Sequence, residues 1–168
     1  MSIAAAVAAA TAYLGSHPDE ARYRDAPAVA RVADGLRVEV TGSGGESVAT
    51  DMPRGIGGSA SAPSPGWFLR AAIASCVASL IAIRAAATSV ELRSVEVSVD
   101  SESDDRGILG MDDSIPAGPL GVRIAVRLRP AGADGAAIDE LVAWAIDHCP
   151  VSEAVRRAVP IEVVNERS

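Results

Sequence analysis

The sequence predicts an α+β domain with mostly antiparallel pairing. Three observations carry that expectation. The segment from about Gly66 to Ala87 is apolar at helical spacing throughout, several short runs alternate apolar and polar residues at strand spacing, and the elements come in blocks. Their order reads as helix, two strands, helix, two strands, two helices and one strand. A chain of 168 residues is most simply one domain, long enough to bury a core without metal or disulfide staples. Within it, residues 1–27 read as an N-terminal helix and connector and residues 28–168 as the main domain.

The opening Met1 to Leu14 is Ala-rich and reads as a helix ended by Gly15-Ser16-His17-Pro18, with a charged, proline-containing connector from Asp19 to Pro27. Leu36 to Val40 alternates strictly, Ser43-Gly44-Gly45-Glu46 turns, and Ser47 to Thr50 returns, which predicts a hairpin. Pro53 to Gly58 and the small residues up to Pro65 form a loop by composition. In the apolar helix that follows, Leu69, Ile73, Cys76, Leu80 and Ile83 fall at alternating steps of four and three, which predicts a core-facing stripe. Trp67, Val77 and Ile81 are apolar on other faces, so the helix is expected to be surrounded by protein, with only Arg70 and Arg84 adding charge. Leu92 to Val99 and Leu120 to Leu128 alternate as strands. The acidic, glycine- and proline-punctuated stretch between them reads as a loop, and its aspartates lack calcium-motif spacing. Asp134 to Asp147 has helical spacing, Pro150 through Ala158 reads as a short helix with Cys149 at its N-cap, and Pro160 to Val164 as a closing strand.

Composition narrows the function. Every one of the 15 basic residues is arginine, the net charge is −7, and no basic cluster exists, which argues against a nucleic-acid surface. Uninterrupted apolar runs stop short of the roughly 20 residues a membrane span needs, so no membrane is expected. The apolar opening has no Lys or Arg before it, unlike a signal peptide. The expected compartment is therefore the reducing cytoplasm, where a cysteine pair is more often catalytic or sensing than structural.

Cys76 and Cys149 are the only cysteines. Cys76 lies in an apolar stretch and reads as buried; Cys149 reads as a helix start, where the thiolate is stabilised, and is on electrostatic grounds the better-activated thiol. A buried cysteine without a cationic neighbour is ordinarily an inert small hydrophobe. Zinc is disfavoured, because His148 and Cys149 are adjacent while His17 and Cys76 stand alone. A Cys–His hydrolase lacks an oxyanion motif, and no cofactor is expected.

Pro53-Arg54-Gly55-Ile56-Gly57-Gly58, Pro65 eleven positions before Cys76 in an Ala-rich helix, and Cys149-Pro150-Val151-Ser152 together resemble the OsmC/Ohr family of osmotically inducible and organic hydroperoxide resistance proteins. The resemblance runs from about Leu36 to the end, which makes residues 28–168 an OsmC-like domain. It implies an intertwined homodimer with antiparallel sheets wrapped around long central helices. It also implies a peroxidase acting on organic hydroperoxides in the oxidative stress response, with Cys76 attacking the peroxide and Cys149 resolving the sulfenic acid to a disulfide. An external dithiol, of lipoyl type by the same resemblance, is the implied reductant.

The sequence departs from the family at the activating residues. Active members carry glutamate just after the proline matching Pro65, where this chain has Gly66 and Trp67. The family arginine lies near the hairpin turn, which here holds none; Arg22, Arg24, Arg31 and Arg37 lie upstream, and none can be carried over. Two further readings therefore stand beside the peroxidase: a non-catalytic dimer binding a small apolar ligand, and a thiol redox sensor.

Overall fold

The computed structural model describes residues 1–132, 134–157 and 159–166. Helix α1 (Ile3–Ser16) starts at Ser2, whose hydroxyl accepts the Ala5 N–H at 3.2 Å. It is followed by a 3₁₀ turn at Pro18–Ala21, strand β1 (Ala28–Asp34), β2 (Arg37–Gly42) and β3 (Ser47–Thr50), then helix α2 (Pro65–Ala87). The chain continues through β4 (Leu92–Glu102), the single turn α3 (Asp105–Ile108), β5 (Gly121–Pro130), α4 (Gly135–Asp147) and α5 (Pro150–Arg156). The α+β class, the hairpin and the long apolar helix are as the sequence predicts, but α2 is not surrounded by protein: Trp67 is exposed and most of the helix is partly buried or exposed.

By its contacts the chain divides into two compact units, Met1–Ala72 with Asp100–Gly121, and Ile73–Val99 with Val122–Ser168. The first holds an antiparallel sheet in the order β1-β2-β3, registered by Val32 against Val38 and by Val40 against Val48. Strand β1 was not expected from the sequence. All its residues are exposed, so it carries no inside–outside alternation. The signal that marks it is Asp34-Gly35, a hairpin dipeptide whose glycine has φ of +53°.

The loop after β3 is organised by Asp51, which is 2% exposed. Its carboxylate accepts the Met52 N–H at 2.7 Å, the Ser59 hydroxyl at 2.5 Å, and the Ser61 N–H and hydroxyl at 2.9 and 2.8 Å. The Ser59 hydroxyl first, then the Ser61 N–H, hold this carboxyl well below the usual range against the opposing effect of burial. Inside the same loop Gly58 packs so closely on the Met52 carbonyl that a Cβ there would lie 1.9 Å from its oxygen.

In the second unit the buried aliphatic residues are Ile73, Val77, Ile81 and Ala85 of α2 and Leu141 and Ala145 of α4. This corrects the expected stripe. Only Ile73 of the five predicted residues is buried, while Leu69, Cys76, Leu80 and Ile83 are half-buried. A helix apolar on every face does not reveal which face turns inward. By length and composition α2 also matches a membrane span. Helix α4 begins at Asp134, which accepts the Ala137 N–H at 2.8 Å.

The expected closing strand is absent: Pro160 to Val164 joins no ladder, and Ile161, Val163 and Val164 are 86%, 84% and 71% exposed. Strand composition cannot create a ladder without a neighbouring edge. The predicted end of the last helix, Ala158, lies outside the described residues.

Candidate functional site

Both cysteines belong to the second unit, and their side chains hydrogen-bond to each other. Helix α2 supplies Cys76, one residue before the buried Val77. The break between α4 and α5 supplies Cys149. At that break the His148 N–H still bonds the Trp144 carbonyl at 3.0 Å, Cys149 turns extended at φ −78° and ψ 108°, and Pro150 opens α5. Proline there has no N–H to leave unsatisfied, and its fixed φ suits the first helical position.

Cys149 is therefore the N-cap, as the sequence predicts, and its sulfur accepts the Ser152 N–H at 3.4 Å. The Ser152 hydroxyl lies 3.3 Å from the Cys149 carbonyl and 3.4 Å from that of Ile146, which ties the turn to the end of α4. The expected burial is reversed, however. Cys149 is 0% exposed, and Cys76 is the half-buried thiol. Ile73, Val122, Ile124, Ile146 and Val155 line an apolar cavity of about 130 Å³ that also reaches Ser152.

The electrostatics of the two sulfurs differ in sign. Burial raises the Cys76 thiol, a hydrogen bond and like charge from Cys149 raise it further, and the Val151 N–H pulls it back only in part. For Cys149 burial again acts upward, but it is outweighed by the Ser152 N–H and hydroxyl, by Cys76 and by the Val151 N–H, so this thiol sits below its ordinary value. The two thiols titrate as a pair, with Cys149 shifted down and Cys76 shifted up. That agrees with the helix-terminus argument from sequence. The thiol the resemblance assigns to attack is thus the one whose surroundings oppose ionisation.

His148 is turned away from this chemistry. Its ring stacks on Trp144 at 4.2 Å and 15°, and Nδ1 lies 2.8 Å from the Trp144 carbonyl. The Arg84 guanidinium lies 5.1 Å from the Trp144 ring centroid and bonds Glu140 at 2.8 Å, while its buried Nε has no hydrogen-bond partner among the described residues. Sequence reasoning noted Arg84 only as a charge on the helix. The spacing of Trp144 and His148, four apart at a helix end, was the available sign of the stack.

The sequence profile of the family described as OsmC-like protein matches residues 58–164. Among solved structures, an organic hydroperoxide resistance protein of Legionella pneumophila is similar at 24% identity and a TM-score of 0.60, covering 80% of this chain and 91% of that one. The organic hydroperoxide resistance protein OhrB of Bacillus subtilis gives 21% identity and 0.53, over 79% and 91%. An OsmC-like protein of unknown function from Vibrio cholerae gives 10% and 0.66, over 79% and 94%. No curated protein matches the sequence. The profile spans more than half of the chain and includes both cysteines, and the shared fold extends beyond it: the chain belongs to the OsmC-like family.

Proposed function

We propose that this chain is a thiol peroxidase that reduces organic hydroperoxides through a Cys76/Cys149 dithiol–disulfide cycle. It works as a homodimer in the reducing cytoplasm, with an external dithiol, of lipoyl type by family resemblance, as its reductant. The observation that supports this reading most is the pairing of the two thiols, Cys76 half-buried and Cys149 fully buried with its pKa drawn down by the Ser152 N–H and hydroxyl.

The chemistry follows from that asymmetry. The peroxide reaches Cys76, the half-buried thiol. As the Cys76 sulfur attacks the O–O bond, its proton passes to the Cys149 thiolate, so Cys149 acts as the base that the missing glutamate and arginine would otherwise make unnecessary. The products are a sulfenic acid on Cys76 and an alkoxide, which takes the proton from Cys149 and leaves as the alcohol. The Cys149 thiolate then attacks the sulfenic sulfur, the S–S bond forms, and hydroxide departs. Two exchange steps with the dithiol restore both thiols. The aliphatic surroundings favour alkyl hydroperoxides over hydrogen peroxide.

Steady-state turnover of cumene hydroperoxide with dihydrolipoamide tests the proposal. Sustained turnover that Cys76→Ser abolishes is the expected result. A single round of oxidation without turnover would make the protein a sensor, and no oxidation would leave a binding protein.

A further inference from the structure

The first unit contains a cavity of about 570 Å³ that does not involve the thiols. Its volume falls within the roughly 300–1,000 Å³ range of small-molecule sites. Met52, Ile56, Leu69, Ile108 and Leu109 give it apolar walls, and Arg70 brings in a positive charge. We propose that this cavity binds a monocarboxylic acid with a short alkyl chain, the carboxylate meeting Arg70 beside Gly66 and the chain lying along the apolar walls.

The Arg70 guanidinium is held by a neutral group, the Ser101 hydroxyl, at 3.1 Å. Its Nη1 lies 3.8 Å from where a Cβ would stand at Gly66, and the Ser64 hydroxyl lies 3.9 Å from the same point. The absent side chain at residue 66 thus leaves a space bordered by a guanidinium and a hydroxyl, both suited to a carboxylate. The cavity also touches Asp104 and Asp105. Asp104 is already matched, with both oxygens bonded to Arg106 at 2.5 to 3.2 Å. Asp105 stands exposed in the first turn of α3. Arg70 is the cationic side chain of this lining, and it favours an acid over a neutral or cationic amphiphile.

Calorimetric titration of the intact protein with octanoate, octanol and octylammonium tests this. Octanoate is expected to bind at least tenfold more tightly than the other two, and Arg70→Gln to reduce it to the level of octanol. Gly66→Glu supplies a second, independent variant. It places a carboxylate within reach of Arg70 one helical turn away and should exclude octanoate while leaving octanol binding in place. Octanol binding as tightly as octanoate, unchanged octanoate affinity in Arg70→Gln, or no binding of any of the three would overturn the proposal. None of these outcomes depends on whether the thiols turn over peroxide.

Discussion

Cys76 and Cys149 share a hydrogen bond, and the backbone N–H of Val151 acts on both sulfurs. Two thiols that close cannot ionise independently. The surroundings of Cys149 lower its pKa and those of Cys76 raise it, so the pair gives up its two protons in separate steps, the second against like charge.

A spectroscopic titration of thiolate absorbance should therefore show two steps, one below and one above the ordinary cysteine value. In Cys149→Ala the remaining step should move down from the upper one, because both influences of Cys149 on Cys76 raise it and both disappear. In Cys76→Ala the remaining step should move up from the lower one, because a hydrogen bond to the Cys149 thiolate is lost. Identical midpoints in the two variants would contradict the coupling.

Asp51 makes stability depend on acid. Its folded carboxyl is held below the usual value, chiefly by the Ser59 hydroxyl, so its stabilising contribution is complete above the unfolded value of roughly 4 and is lost as pH falls toward the folded one. Melting temperature should drop through that window in the wild type. Asp51→Asn should melt lower at neutral pH and respond less to acid. Parallel pH profiles for the two proteins would argue against this role.

The core of the second unit rests on few large side chains. Leu141 is 2% exposed, and Leu141→Ala should cost about 2–5 kcal/mol in denaturant unfolding. A cost within the error of the wild-type value would mean that the site collapses or was never filled.

Ile161, Val163 and Val164 lie largely open in the single chain, an apolar run that a second copy is suited to cover in the proposed homodimer. Sedimentation should give a dimer for the wild type and a shift toward monomer for Val163→Asp. A monomeric wild type would count against the homodimer.

Much of this was legible in sequence because local rules governed it. Pro65 and the apolar period set α2 within a residue, the Ser43–Glu46 turn set the β2–β3 hairpin, and Cys149-Pro150 announced its own cap. What escaped depends on partners distant in the chain. Strand β1 exposes every residue and so shows no period, and Pro160 to Val164 has the composition of a strand but pairs with none among the described residues. The inward face of α2 was hidden because the helix is apolar all round, and with it the relative burial of the two thiols. Asp51 reads as a loop aspartate, since nothing local says that Ser59 and Ser61 fold back onto it.

In the proposed cycle the two thiols act as one redox unit. Rapid mixing of the reduced protein with one equivalent of cumene hydroperoxide, followed by intact-mass and thiol counting, tests it most directly. Fast loss of both thiols as an intramolecular disulfide is expected in the wild type, with no fast oxidation in Cys76→Ser and a sulfenic acid in Cys149→Ser that excess peroxide drives further. Retention of two free thiols in the wild type, while a competent peroxidase is oxidised alongside it, would rule the cycle out.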